Sequence, residues 1–113
     1  MAAEHSLKSK VALRFEGIKL PNLDEHSKTD AFCVLYSLSG NKKTRLAETE
    51  VVADNLNPCW VKSIDVDYFF EQQQDFRVEV WDADDPTRLH DMALHDMVGL
   101  ADFKLSKVIC GKN

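Results

Sequence analysis

Residues 75–85 read DFRVEVWDADD, a stretch that favours a β-strand ending in a group of acids. Apolar side chains occupy every second position from Phe76 to Val80. This period of two is typical of a strand with one face turned towards a core. Asp82 and Asp84 follow where the alternation stops. We therefore expect both carboxylates to point to the same side of the extended chain.

The same alternation recurs in five other short runs, which turn-rich segments separate. These runs are Lys10–Glu16, Ala31–Leu38, Lys43–Val52, Trp60–Tyr68 and Val98–Leu105. Ala31–Leu38 is apolar on both faces, as expected of a central strand. Convincing helical spacing over about 12 residues is absent from the sequence. The pattern predicts an all-β fold, a β-sandwich.

The length of 113 residues corresponds to one domain with one core. Residues 1–9 are polar, so we predict a flexible N-terminal segment followed by a domain over residues 10–113. The formal net charge of −5 argues against a nucleic-acid partner. The N-terminus lacks the apolar stretch of a signal peptide, which predicts a cytoplasmic location.

Two connections between the predicted strands carry most of the chemistry. Asp24 and Asp30 bracket the first, and Asp82, Asp84 and Asp96 bracket the second. A loop as long as the second is usually functional in so small a domain. These acids are therefore the candidate binding residues.

Carboxylates that converge cannot all stay ionised without a counter-charge. Calcium accepts six to eight oxygen ligands in irregular geometry, whereas magnesium demands an octahedron and zinc prefers His or Cys. Asp82 does not begin an EF-hand loop, because Thr87 and Ala93 stand where that loop needs Gly and Glu. The set therefore favours calcium. The alternative is that each aspartate is an ordinary soluble turn residue.

Several motifs, in this order, resemble those of C2 domains. They are Leu20-Pro21-Asn22-Leu23-Asp24, Thr29-Asp30-Ala31-Phe32, Asn57-Pro58-Cys59-Trp60, Val80-Trp81-Asp82-Ala83-Asp84-Asp85 and Asp96-Met97-Val98-Gly99. Within that family, three further segments are most similar to the first C2 domain of copines. They are Lys28-Thr29-Asp30, Thr49-Glu50-Val51-Val52 and Tyr68-Phe69-Phe70-Glu71.

The resemblance implies an eight-stranded antiparallel Greek-key β-sandwich that binds two or three Ca²⁺ ions. Six runs are visible, so we expect the chain to lack the last two strands. Carried over position by position, the side-chain ligands would be Asp24, Asp30, Asp82, Asp84 and Asp96, with Leu23 and Trp81 as candidate backbone-carbonyl ligands. Because His-Asp-Met occurs twice, at residues 90–92 and 95–97, Asp91 is an alternative to Asp96. The following Val98-Gly99 favours Asp96.

The resemblance also implies a function, namely calcium-dependent binding of anionic phospholipid membranes, most often the plasma membrane. The alternative is a protein–protein interaction module with an incidental or structural calcium site. The sequence contains no nucleophile elbow, P-loop or dinucleotide fingerprint, so we do not expect an enzyme.

Two groups of residues are candidates for membrane contact. Leu89, Met92 and Leu94 would either insert among lipid headgroups or pack against the rim of the domain. The basic cluster Lys42, Lys43 and Arg45 would either bind phosphoinositides or form a solvated strand face. We expect the histidines near the acids, His26, His90 and His95, to be exposed loop residues.

Overall fold

The computed structural model describes residues 8–23 and 28–110 of the chain. These residues form six β-strands, one 3₁₀ turn and one short helix. The strands are β1 (Lys8–Leu13), β2 (Ala31–Ser39), β3 (Lys42–Glu48), β4 (Ile64–Phe69), β5 (Asp75–Asp82) and β6 (Asp96–Lys104). The 3₁₀ turn covers Met92–Leu94, and helix α1 covers Leu105–Ile109. Of the described residues, none belongs to a helix long and apolar enough to cross a bilayer.

The strands form two antiparallel sheets, one of four strands in the order β3-β2-β5-β6 and one of β1 and β4. Leu35 pairs with Val78 in the larger sheet, and Val11 pairs with Val66 in the smaller one. Gly40 supports the β2–β3 hairpin with a φ of +59°, which suits glycine because it has no Cβ to clash. The predicted all-β antiparallel sandwich is confirmed.

The inner face of the larger sheet, which points towards β1 and β4, provides the main core. Alternate residues of each strand enter it, as the period of two predicts. Its buried members are Leu13, Leu35, Ile64, Val66, Phe76 and Leu105. Leu105 was predicted to end the last strand, but it begins α1 and is fully buried.

The third and fourth strands are shorter than the sequence pattern predicts, and Glu50 gives the physical reason. Its carboxylate accepts hydrogen bonds from the amides of Val61 (2.6 Å) and Lys62 (3.2 Å). Those amides are thereby removed from a strand ladder. Burial alone would raise the pKa of Glu50, but these hydrogen bonds hold it below its ordinary value. The chain therefore becomes regular strand again only at Ile64.

The outer face of the larger sheet, which points away from β1 and β4, carries a second buried cluster. Phe32, Val34 and Tyr36 project from β2 and pack with Ala83. Leu89 and Met92, from the loop of residues 83–95, lie over this cluster. Strand β2 is therefore central, with both faces covered, as its sequence predicts.

On this outer face, a buried carboxylate forms an ion pair with Lys43, one of the three residues of the basic cluster. Glu79 is only 2% exposed, and its Oε2 lies 2.9 Å from Lys43 Nζ. Trp81 Nε1 donates to Glu79 Oε1 at 3.1 Å. Lys43 Nζ also lies 4.4 Å from the centre of the Tyr36 ring. Burial and the charge of Glu79 both raise the pKa of Tyr36, so its hydroxyl stays protonated.

Replacing Lys43 with Met leaves Glu79 buried without its cation. We expect the free energy of unfolding, measured by chemical denaturation, to fall by about 2 kcal/mol. The exposed neighbour Lys42 is the matched control, and Lys42→Met should change the free energy of unfolding by less than about 0.5 kcal/mol. Equal stability of the two variants would contradict the structural role assigned to Lys43.

Candidate acidic metal site

Three aspartates converge at one end of the sandwich. Carboxylate oxygens of Asp82, Asp84 and Asp96 all lie within 4.8 Å of one another, and we call these residues the aspartate cluster. Asp82 is the last residue of β5 and only 1% exposed, whereas Asp84 and Asp96 are exposed. One carboxylate is thus fixed inside the protein, and two reach solvent.

A one-residue shift in strand pairing brings Asp96 into this cluster. Val80 pairs with Gly99, but Trp81 pairs with Met97, so β6 has one extra residue at this point. Asp82 consequently stands opposite Asp96. With continuous register it would stand opposite Met97, because shifting a strand by one residue turns every side chain to the other face. Asp84 lies two residues after Asp82, in a bend beyond the end of β5.

Asp30 lies beside the aspartate cluster but is not one of its members. Its backbone amide donates to Asp82 Oδ1 at 3.0 Å, and its carbonyl accepts from the Ala83 amide at 2.8 Å. Its own carboxylate accepts from the Asp54 amide at 2.7 Å. Asp54 has a φ of +53°. Asp30 thus positions Asp82 through its backbone.

The outcome differs among the other predicted ligands. Asp24 falls outside the described residues, while its neighbour Leu23 is 46% exposed. Trp81 is half-buried on the outer face, where its indole packs against the buried cluster that contains Phe32. The carbonyl-ligand roles of Leu23 and Trp81 remain predictions.

Two further acids of the loop 83–95, Asp85 and Asp91, interact with partners within the loop itself. Asp91 Oδ2 lies 3.3 Å from Arg88 Nη2, and Asp91 precedes the 3₁₀ turn. Asp85 accepts hydrogen bonds from the Thr87 hydroxyl (2.6 Å) and amide (3.1 Å), which hold the pKa of Asp85 below its usual range. The geometry therefore brings Asp96, rather than Asp91, to Asp82.

His95 is buried, and the expectation that it would be exposed is wrong. It is 6% exposed, its Nδ1 lies 3.2 Å from the Asp84 amide, and its Nε2 lies 3.0 Å from the Arg88 carbonyl. The amide of Asp84 requires an acceptor, which the ring supplies. Nothing in the sequence distinguishes His95 from His90, which is exposed as predicted. His26 falls outside the described residues.

The candidate membrane-contact residues have mostly internal partners. Leu89 and Met92 pack against the domain itself, over the buried cluster that contains Phe32, which agrees with the alternative to lipid insertion. Leu94 is half-buried. Arg45 Nη2 lies 3.1 Å from Glu48 Oε1. Lys42 is exposed.

The donor set of the aspartate cluster fits a hard cation. Its side-chain donors are carboxylate oxygens, which Ca²⁺ and Mg²⁺ prefer, whereas Zn²⁺ usually requires His or Cys. The imidazole of nearby His95 already accepts a backbone hydrogen bond at Nδ1, so it does not offer that atom to a metal. The cluster can therefore hold a metal ion through oxygen ligands alone.

Known proteins resemble this chain in sequence. It is 35% identical to nicotinic receptor-associated protein 1 of Caenorhabditis elegans, over 90% of this chain and 19% of that protein. It is 33% identical to copine-B of Dictyostelium discoideum, over 94% of this chain and 21% of that protein. The chain thus spans about a fifth of the length of these curated relatives.

Solved structures and a family model agree with the fold. BON1-C2B superimposes with a TM-score of 0.70 at 23% identity, covering 99% of this chain and 77% of that one. Calcium-bound extended synaptotagmin 2, with its C2A and C2B domains, gives a TM-score of 0.59 at 18% identity, covering 90% and 35%. The model of the C2 domain matches residues 12–113. The chain therefore belongs to the C2 domain family, and its relatives include copines.

Proposed function

We propose that this chain is a calcium-dependent module that binds anionic phospholipid membranes within a copine-like protein. The observation that carries the proposal is the aspartate cluster, with three carboxylates within 4.8 Å at one end of the sandwich. Like charges this close are unfavourable without a cation. Two of the carboxylates are exposed, so the site is open to a ligand from outside.

The residues in and around the cluster have different roles in the proposed binding of calcium. Asp82 is held inside the protein by the Asp30 amide, which fixes the direction of its carboxylate. Asp84 and Asp96 complete the pocket from the solvent side. Bound calcium would neutralise these charges and offer open coordination positions to oxygens of the lipid headgroups. We retain Asp24 and Asp30 as further ligands, and two or three ions, as part of the proposal.

The charges of the outer face support a requirement for calcium. Its cations lie within ion-pair distance of carboxylates, in the pairs Lys43–Glu79, Arg45–Glu48, Arg77–Asp102 and Lys104–Asp75. The Arg77 guanidinium holds the pKa of Asp102 below its usual range, so that carboxylate stays ionised. With these cations balanced and a net charge of −5, the metal-free chain has little attraction for an anionic surface. The same pairing disfavours phosphoinositide binding by Lys43 and Arg45.

Exposed apolar side chains next to predicted ligands in the sequence suit contact with lipid. Met97 follows Asp96 directly and is 41% exposed, and Leu23 precedes Asp24. We propose these two residues as the main apolar contacts, ahead of Leu89 and Met92. Anionic lipids are concentrated in the cytoplasmic leaflet, so we propose a cytoplasmic protein recruited to the plasma membrane.

A protein-interaction module is the second candidate function. The side chains of Val61 and Phe70 are exposed near the two ends of β4, in the two-stranded sheet. Exposed apolar residues and open strand edges are features of docking surfaces. On this alternative, the aspartate cluster would be structural or incidental. Either function suits a C2 domain, which is typically a non-catalytic binding module.

The two repeated His-Asp-Met segments provide a matched test of the metal site. We expect Asp96→Asn to weaken calcium binding, measured by isothermal titration calorimetry, by at least about tenfold because a ligand is lost. Asp91→Asn should leave the affinity unchanged, since Asp91 pairs with Arg88. The opposite pattern would make Asp91 the ligand.

The membrane function is tested by sedimentation with phosphatidylserine-containing vesicles, in calcium and in chelator. We expect binding only in calcium. Asp82→Asn should abolish this binding while the domain stays folded, since the amide oxygen can still accept from Asp30. A folded wild-type chain that sediments in neither condition, or equally in both, would contradict the calcium switch. Sedimentation in neither condition would favour the interaction module.

The apolar contact is tested by replacing two methionines separately. We expect Met97→Ser to weaken vesicle binding at saturating calcium by about tenfold, because burying a Met side chain contributes roughly 1.5–3 kcal/mol. Met92→Ser should leave vesicle binding unchanged and lower the thermal unfolding temperature instead, because Met92 packs on the sheet. Equal effects of the two changes on vesicle binding would refute this assignment.

A further inference from the structure

The two His-Asp-Met segments place their histidines in contrasting environments. His90 is exposed, with its Nδ1 3.9 Å from Glu48, whereas His95 is buried in the loop 83–95. The His95 ring meets the Phe32 ring edge-on, with 5.3 Å between centroids and 81° between planes. This packing fixes the orientation of the imidazole.

The hydrogen bonds of His95 determine its tautomer. The Asp84 amide donates to Nδ1 at 3.2 Å, so Nδ1 carries no proton. Neutral imidazole then carries its proton on Nε2, which donates to the Arg88 carbonyl at 3.0 Å. The ring therefore connects the beginning of the loop to its middle, while its own backbone lies at the loop's end.

The backbone hydrogen bonds of the loop do not connect Asp84 to Arg88. The amide of Arg88 donates to Asp85, that of Asp91 to Arg88, and that of His95 to Met92. These bonds close successive turns within the loop. The His95 side chain adds a contact across them, to the residue that bears one of the exposed carboxylates.

The location of His95 connects this contact to the aspartate cluster. His95 precedes Asp96 in the chain and accepts from the backbone of Asp84, so it touches both exposed members of the cluster through the main chain. We infer that His95 is a positioning residue, which holds Asp84 and Asp96 at the correct distance from Asp82 and thereby sets calcium affinity. This inference rests on the proposed calcium site, and His95 itself is not a ligand.

Few other side chains can make both contacts. The rigid ring offers an acceptor and a donor on separate atoms that face different parts of the loop. Asn can place an acceptor near the position of Nδ1 but is too short to reach the Arg88 carbonyl. Leu fills part of the same volume and supplies neither group. These differences make a graded series of variants.

The experiment measures calcium affinity by titration calorimetry for the wild-type chain, His95→Leu, His95→Asn and the control His90→Leu. We expect His95→Leu to bind calcium about tenfold more weakly, at the lower end of losses for groups that orient metal ligands. His95→Asn should recover most of the affinity, because it restores the acceptor for the Asp84 amide. His90→Leu should match the wild type.

Thermal unfolding in chelator separates positioning from general destabilisation. As long as a variant is fully folded at the titration temperature, lower global stability does not change its calcium dissociation constant. A folded His95→Leu variant with wild-type affinity would therefore overturn the inference. A wild-type chain that binds no calcium would overturn the proposed function, and this inference with it.

Two further readouts apply if His95→Leu does not fold. His95→Asn should then bind calcium more tightly than His95→Gln, whose longer amide approaches Nε2 rather than Nδ1, and equal wild-type affinity of both would overturn the inference. In the wild-type chain, ¹⁵N spectra of the ring should show the tautomer protonated on Nε2. A ring protonated on Nδ1 would contradict the acceptor role.

Discussion

The pairing of β5 with β6, including its one-residue shift beside Trp81, is the constraint on which the acidic end of this domain depends. It places Asp96 opposite Asp82 across a ladder of backbone hydrogen bonds. Two carboxylates are thus brought together by the fold itself, not by a flexible loop. The shift is a small local irregularity, yet it decides which side chain faces the pocket.

Bringing these charges together has an electrostatic cost, which the surrounding backbone partly offsets. The Asp30 amide donates to Asp82, and the Ala83 amide donates back to the Asp30 carbonyl, so the first and second loops are joined at this point. The larger sheet supplies rigidity behind the site, with β2 buried on both faces. A cation bound at the cluster, as proposed, would meet the carboxylate of Asp82 already held in place, and preorganised ligands lower the cost of binding.

The sequence predicted the strands and the sandwich, because both follow from period-two alternation. It also predicted that five aspartates converge, and three of these five form the aspartate cluster. It could not reveal the capture of the Val61 and Lys62 amides by Glu50, which shortens two strands. The sequence pattern also predicted the same exposed environment for His90 and His95. Their difference arises from tertiary contacts with Phe32 and Asp84, which no local pattern encodes.

The loop 83–95 has two duties, since Leu89 and Met92 cover the apolar cluster of the outer face while Asp84 forms one wall of the acidic pocket. Any opening of this loop wets Phe32 and Tyr36 at the same moment as it separates the carboxylates. Water exclusion at one site and cation occupancy at the other are consequently linked equilibria, and each must favour the other by the same free energy. If the cluster binds calcium as proposed, the domain's resistance to local opening, and hence to proteolysis within this loop, depends on the calcium concentration around it.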